Sequence, residues 1–503
     1  MPPLSFKCTG IQEVIVHIVF VHTPMATVSL PEREAFWRNF DIRYHATHPG
    51  LKPMKNVLWE LPHWMTWLAG VLVDAGYTSL QAMDLYASEC TMTGIDTFKM
   101  GNTIKEYPAD VYLLSPMTPN LPFAYQIADL IKIIHPRSIV IFGGVVATPL
   151  HKTIASHPSV DYVVFGRGEL ALPALIKALD QKDGPEFLGN LSFRLPDGRV
   201  HTSHFEYPWL PVNDIPKPKI DLFDRSIGED IRYLRQVYAL GCPYKCSFCT
   251  IQTIGRKADY FALDRVIDEI ASYRDYYGEH HNVYFGDETF TVSKDRTLDI
   301  CSALKNNGSI RYDIQTRLNC LNDDEVLKAL KESGCSWVEI GIETVNQDSQ
   351  NIHKQKIKLK ELENTLSRVQ DAGLATCSFL VNGFPDQTID DMKRSTDYAC
   401  GLIDRGLLQA SYLFGLVPYP GSELFSSPES FGMELLHKDF RLYHEELAPV
   451  YKTHHAGPDE IYEVFLSGIT ALAEAMGKTS NILDYSFYSD SFEYGKFWSE
   501  SHV

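Results

Sequence analysis

Three cysteines, Cys242, Cys246 and Cys249, stand together in the stretch Gly241-Cys-Pro-Tyr-Lys-Cys-Ser-Phe-Cys-Thr250. The chain carries ten cysteines in 503 residues, a content at which chance sets this spacing roughly 0.4% of the time. Three thiolates on one short loop can hold three irons of a cubane cluster, and the missing fourth leaves one iron open to a small molecule. A structural zinc ion would ask for a fourth ligand, and the next cysteine is Cys301. Farther on, Tyr284-Phe-Gly-Asp-Glu-Thr289 gathers Gly286, Asp287 and Glu288 in one loop. A carboxylate there either forms a charge-assisted hydrogen bond to a cation held beside the cysteines or is a solvated loop acid. Arg317 suits a ligand carboxylate or an ion pair within the fold. Glu343, with Glu339 as the weaker candidate, closes the run Val338-Glu-Ile-Gly-Ile-Glu-Thr344.

A second group lies nearer the amino terminus: Ser115 and Thr118 in Ser-Pro-Met-Thr, then Gly143, Gly144 and Val145, then Gly166, Gly168 and Glu169 in Phe-Gly-Arg-Gly-Glu. Glycines at strand ends let backbone approach a bulky ligand, and the two hydroxyls can hydrogen-bond it. Taken singly, each is equally a strand-ending turn.

The elements that would position these residues are legible in the hydrophobic pattern. Strands are predicted over 11–21, 111–115, 139–142 and 162–165, with helices over 62–76, 121–135, 148–156 and 169–179, which is the alternation of a parallel sheet covered by helices. Residues 1–183 therefore read as a flavodoxin-like, doubly wound α/β domain. Residues 184–232, rich in scattered prolines, read as a linker with one hairpin. Strands near 234–240, 282–286, 311–316, 336–342, 375–381 and 410–417, with helices near 262–276, 294–306, 323–333, 358–372 and 388–402, predict a partial (β/α)6 barrel over 233–424. Its chemistry belongs at the carboxyl ends of the strands. A mostly helical region is expected over 425–503.

The triplet, with Phe248 before its last cysteine and a partial barrel around it, resembles the radical S-adenosylmethionine (SAM) enzymes. The resemblance implies a 4Fe-4S cluster on Cys242, Cys246 and Cys249 whose open iron takes SAM, with Tyr244, Phe248, Gly286, Asp287, Glu288, Arg317 and Glu343 about the SAM site. Gly383-Phe-Pro385 and Pro418-Tyr-Pro-Gly421 resemble further turns of that family. The amino-terminal segments resemble the cobalamin-binding domain that precedes the barrel in one large subclass, which implies cobalamin contacts from Ser115, Thr118, Gly143, Gly144, Val145, Gly166, Gly168 and Glu169. The Asp-x-His-x-x-Gly motif of many cobalamin proteins is absent, as is usual in that subclass.

The resemblance implies a cobalamin-dependent radical SAM C-methyltransferase, which moves a methyl group from methylcobalamin to an unactivated carbon of a small molecule in a specialised, antibiotic-type pathway. No residue is assigned to catalysis itself. The alternative keeps both cofactors and closes or rearranges a ring without methyl transfer. A methylthio-transferring enzyme acting on RNA would need a further cysteine set in the first domain, where only Cys8 and Cys90 occur. Its substrate also conflicts with a formal net charge of -18, the wrong sign for a phosphate backbone. The partners expected are a small-molecule substrate and an electron donor such as flavodoxin or ferredoxin, with no nucleic acid and no membrane. No run of 18 apolar residues and no signal-peptide pattern occur, so a cytoplasmic location is expected.

Overall fold

The computed structural model describes residues 16–26, 28, 30–48, 61–85, 90–229, 231, 233–253, 255, 257–279, 281–308, 310–354 and 357–478. They divide into two compact units. The early part of the strand expected over 11–21 and the end of the region expected to 503 lie outside the described residues.

The first unit takes the described residues up to Ala26 and those from Leu61 to Glu229. Its strands are β1 (Ile18–His22), β2 (Leu80–Asp84), β3 (Val111–Leu114), β4 (Ile139–Phe142), β5 (Tyr162–Val164), β6 (Leu191–Arg194) and β7 (Val200–Thr202). They form one sheet in the order β2-β1-β3-β4-β5-β6-β7, parallel from β2 to β5 and antiparallel beyond. β1, β3 and β4 are near-continuous apolar runs with buried side chains, as expected of parallel strands covered on both faces. The predicted helices appear as His63–Asp74, Leu121–Ile134, Ala147–Ala155 and Gly168–Gln181. The sequence reading missed β2, a short and partly polar edge strand, and the helix Thr97–Glu106, whose start is set by the Asp96 carboxylate accepting from the amides of Phe98 and Lys99.

Two corrections concern boundaries. The stretch read as a linker opens with the hairpin β6–β7, which extends the sheet, so this unit runs past residue 183 to 229. Conversely, part of the connection after β1 is the helix Pro31–Thr47, and it belongs to the second unit. Its buried Arg33 and Asp41 broke the apolar pattern by which a helix is recognised.

The second unit is a sheet of six parallel strands in sequential order: β8 (Tyr233–Gln236), β9 (Asn282–Phe285), β10 (Tyr312–Thr316), β11 (Cys335–Glu343), β12 (Ala375–Asn382) and β13 (Ala410–Gly415). The intervening helices Leu263–Tyr277, Lys294–Asn306, Asp324–Ser333, Leu362–Asp371 and Ile389–Asp404 agree closely with the predicted ones. The carboxy-terminal region is less helical than expected. A hairpin of Met433–Leu435 with Tyr451–Thr453 precedes the long helix Pro458–Lys478, which packs on β13 and on the helix Pro31–Thr47. None of the described helices is long and apolar enough to cross a membrane.

The helix Pro31–Thr47 is held by polar groups as much as by its aromatic face. Phe36, Phe40 and Tyr44 pack against Tyr412 of β13 and Trp337 of β11. Arg33 is paired with Glu446 at 2.8 Å. Asp313, 1% exposed on β10, receives the Tyr44 hydroxyl, the Asn282 amide (2.6 Å) and Nε2 of His48 (2.9 Å). Replacing Asp313 with Ala takes the acceptor from three buried donors, of which the Asn282 amide also reaches the Tyr44 hydroxyl (3.2 Å), and a buried donor left orphaned costs about 1–3 kcal/mol. Asp313→Ala is therefore expected to lower the urea midpoint of the second unit steeply and Asp313→Asn less so. Equal midpoints for wild type and Asp313→Ala would show that this contact does not hold the helix.

Candidate functional site

After β8 the chain makes a short antiparallel pair, Ala239–Leu240 with Asp259–Tyr260, and turns at Gly241. Gly241 has φ +88°, and a Cβ there would stand 2.5 Å from the carbonyl oxygen of Lys257, so only glycine makes the turn. The cysteine loop that follows is pinned from several sides. The Asp287 carboxylate accepts from the amides of Tyr238 (3.0 Å) and Ala239 (2.5 Å) at its entry. In its middle, the amide of Ser247 donates to the carbonyl of His353 (2.9 Å), and Ser247 Oγ meets His353 Nδ1 at 2.7 Å. His353 Nε2 in turn lies 2.8 Å from Asp386. Phe248 packs on Phe384, which stacks on His353.

Around the three sulfurs, Arg317 donates to Cys246 Sγ at 3.3 Å, the amide of Ile251 to Cys249 Sγ at 3.5 Å, and Thr289 Oγ1 lies 3.6 Å from Cys242 Sγ. Burial pushes the Cys249 thiol up to about 12, and the neighbouring Cys246 and Cys242 push in the same direction. Such a thiol is neutral at neutral pH, and a cationic iron cluster supplies the charge that would make it a thiolate. No group of three His, Cys, Asp or Glu side chains converges as a single-ion site among the described residues. A cluster asks something else of its donors, one thiolate for each of three irons. The donor set therefore fits a 4Fe-4S cluster.

The strand ends beside this loop carry the other predicted residues, with one reassignment. Asp287 is 1% exposed, its carboxyl is pushed up to about 8 by burial, and its oxygens are taken by the two backbone amides. It braces the cysteine loop instead of facing a ligand ammonium. Glu288 is the carboxylate left partly open, held above the ordinary range by burial and lowered by Arg235. A Cβ at Gly286 would stand 2.6 Å from Arg235 Nε, so a larger residue there would displace that side chain. Arg317 lies with its guanidinium 3.9 Å from the Tyr244 ring and donates to the Lys354 carbonyl at 2.9 Å. Glu343 ends β11 with φ +62° and pairs with Lys354, both nearly buried. A left-handed glutamate is a strained residue of the kind found at ligand sites. Glu339 accepts from the Tyr284 hydroxyl at 2.8 Å. Lys354, His353 and Asp386 escaped the sequence reading. Lys354 stands in the alternation Lys-Gln-Lys-Ile-Lys-Leu-Lys360, which has the look of a solvated run.

In the first unit the predicted residues also come together. Gly144 has φ +89°, and a Cβ there would overlap Ser115 Oγ. Thr148 Oγ1 donates to the Gly144 carbonyl (2.9 Å) and accepts from the Gly166 amide (3.0 Å), so a residue the sequence reading passed over ties the ends of β4 and β5. Gly143, Gly144, Val145, Gly166 and Gly168 keep part of their surface open, whereas Thr118 is buried. Glu169 is engaged by Arg167 at 2.9 Å. The result is a shelf of backbone with few side chains at the carboxyl ends of parallel strands, where such sheets bind ligands. A broad, flat cofactor such as cobalamin fits it.

Residues 237–399 match the radical SAM superfamily and residues 60–176 match the B12 binding domain. The chain is 29% identical to an uncharacterized methyltransferase of Pyrococcus horikoshii over 71% of its own length and 77% of that protein's. It is 23% identical to the anaerobic magnesium-protoporphyrin IX monomethyl ester cyclase of Rubrivivax gelatinosus, over 72% of this chain and 65% of that one. Among solved structures, the fold is similar to that of the radical SAM methyltransferase TsrM of Kitasatospora setae with cobalamin and a [4Fe-4S] cluster bound. The TM-score is 0.61 at 15% identity, covering 90% of this chain and 85% of that one.

Asp287→Ala removes the acceptor of two buried amides, so anaerobically reconstituted protein is expected to hold less iron than wild type, while Glu288→Gln keeps its full content. A raised carboxyl also stabilises the fold most below its ordinary pKa of 3.8, and that contribution is lost as pH rises through about 8. Urea midpoints should accordingly fall less between pH 6 and 9 for Asp287→Asn than for wild type. Full iron loading in Asp287→Ala would exclude the bracing role.

Proposed function

Because the chain belongs to the radical SAM superfamily and joins a B12-binding domain to it, we propose that it is a C-methyltransferase acting on a small molecule at an unactivated carbon. The observation that carries this reading is the presence, in one chain, of a cysteine loop built for a cluster and a glycine shelf suited to cobalamin. When bound, the 4Fe-4S cluster and SAM supply a radical that removes a substrate hydrogen atom, and cobalamin supplies the methyl group that replaces it.

The residues of the chain orient and protect. Cys242, Cys246 and Cys249 hold the cluster, and Phe248 on Phe384 keeps water from that side of the loop. Arg317 offers its guanidinium to a ligand carboxylate, with Tyr244 fixing the plane of the group. Glu288 and Glu343 offer carboxylates to an ammonium or to ribose hydroxyls, and Lys354 keeps Glu343 in its strained geometry. Ser115, Gly143, Gly144, Val145, Gly166 and Gly168 let the corrin approach backbone. One electron for each SAM cleavage comes from a small carrier such as flavodoxin or ferredoxin.

A second reading, ring closure without methyl transfer, draws on the likeness to the Rubrivivax cyclase. The two differ in how SAM is spent. Methyl transfer releases 5′-deoxyadenosine and S-adenosylhomocysteine together, with a product heavier by one methyl group. Ring closure releases 5′-deoxyadenosine without matching S-adenosylhomocysteine. With deuterated-methyl SAM, label is expected in the product, and replacing any one of the three cysteines with Ala is expected to abolish 5′-deoxyadenosine formation. An unlabelled product formed during turnover would favour the cyclase reading.

A further inference from the structure

Beyond the glycine shelf, the hairpin β6–β7 is followed by a segment that returns alongside the end of β5. Asn190 is the clamp. It is 3% exposed with φ +57°, its Nδ2 donates to the Phe165 carbonyl (3.1 Å), and its Oδ1 accepts from the Tyr207 amide (2.6 Å). Ser203 adds a backbone bond to Leu191 (2.8 Å) and a hydroxyl bond to Leu188 (2.6 Å). Residues 203–207 are thus tied to the backbone immediately before Gly166.

Two residues later stands Trp209, 50% exposed, its ring 5.8 Å from the Arg167 guanidinium. Arg167 is itself locked to Glu169, with only 9% and 10% of the two side chains exposed. The half-open indole thus rests on a fixed cationic partner. Met117, also 50% exposed, belongs to the loop after β3, whose Ser115 touches Gly144 at the other end of the shelf. Apolar side chains at both ends, bare backbone between them and the Arg167–Glu169 pair at one margin complement a flat macrocycle fringed with methyl and amide groups.

We propose that Trp209 forms a wall of the corrin-binding face, which brings 203–209 into the cobalamin site although the B12 binding domain match ends at residue 176. The proposal rests on the assignment of cobalamin to the glycine shelf. Asn190 acts as a positioning residue, Arg167 seats the indole, and Trp209 contacts the ligand. Arg167 and Glu169 meet its amide arms at the rim.

The test titrates hydroxocobalamin into the reconstituted full-length protein and follows the visible circular dichroism of bound corrin, with iron content checked in every variant. Trp209→Ala is expected to weaken binding by about tenfold, the scale set by losing one well-seated aromatic contact. Trp209→Phe should restore most of that affinity, Phe187→Ala should leave it unchanged, and Gly144→Val should abolish it. Wild-type affinity in Trp209→Ala alongside lost binding in Gly144→Val would overturn the role of Trp209 while leaving the shelf in place. Wild-type affinity in Gly144→Val would overturn the shelf assignment, and this proposal with it.

Discussion

A parallel strand can pair with its predecessor only after the chain has crossed back to its starting end, so every crossover leaves its strand-ending loop on the same face. Both units of this protein are organised by that constraint. In the first, the loops after β3, β4 and β5 bring Ser115, Gly144 and Gly166 into one shelf. In the second, the cysteine loop after β8, the acids after β9, Arg317 after β10 and Glu343 at the end of β11 converge in the same way. Residues separated by a hundred positions become neighbours because the hydrogen-bond geometry of the sheet offers no other arrangement.

Once the loops are gathered, buried charge decides what each polar residue can do. An ion without a partner in a protein interior costs several kcal/mol, so the carboxylates at these strand ends are either paired or shifted. Asp287 takes two amides and Glu343 a lysine, and at the opposite end of β10 Asp313 takes three side-chain donors. Exposed pairs such as Arg199 with Asp197 are screened by water and leave the site untouched. The buried thiol of Cys249 accepts from the Ile251 amide, and burial outweighs the nearby Lys354 in holding it neutral, which is the chemical sense in which the loop is built for a metal cluster. Within the second unit Arg317 ties the cysteine loop to the chain after β11, since one guanidinium reaches a cysteine sulfur, an aromatic ring and the Lys354 carbonyl.

The barrel was legible nearly element by element, because its strands and helices carry their own periods and lie in regular succession. The cysteine triplet and the glycines at strand ends were equally plain, since their types and spacing are local properties. The helix Pro31–Thr47 was not legible. Its polar residues Arg33 and Asp41 look solvated in sequence but are buried, Arg33 against a strand 380 positions away. The hairpin expected in the proline-rich stretch was legible, but its pairing onto β5 was not, because its strands are short and bounded by proline-rich chain.

The sequence by itself determined the element order, the donor set for the cluster and the loops on which ligands could sit, since these follow from residue type, period and spacing along the chain. Only the tertiary structure decided which of two adjacent acids stays partly open. Asp287 and Glu288 are indistinguishable in sequence, but the first is consumed by the amides of Tyr238 and Ala239, some fifty residues earlier. It also decided that Lys354 and not a solvated partner meets Glu343, and that Thr148 and Asn190 bind the shelf together. A hydrogen bond depends on distance in space, and sheet pairing, which no local pattern records, sets that distance.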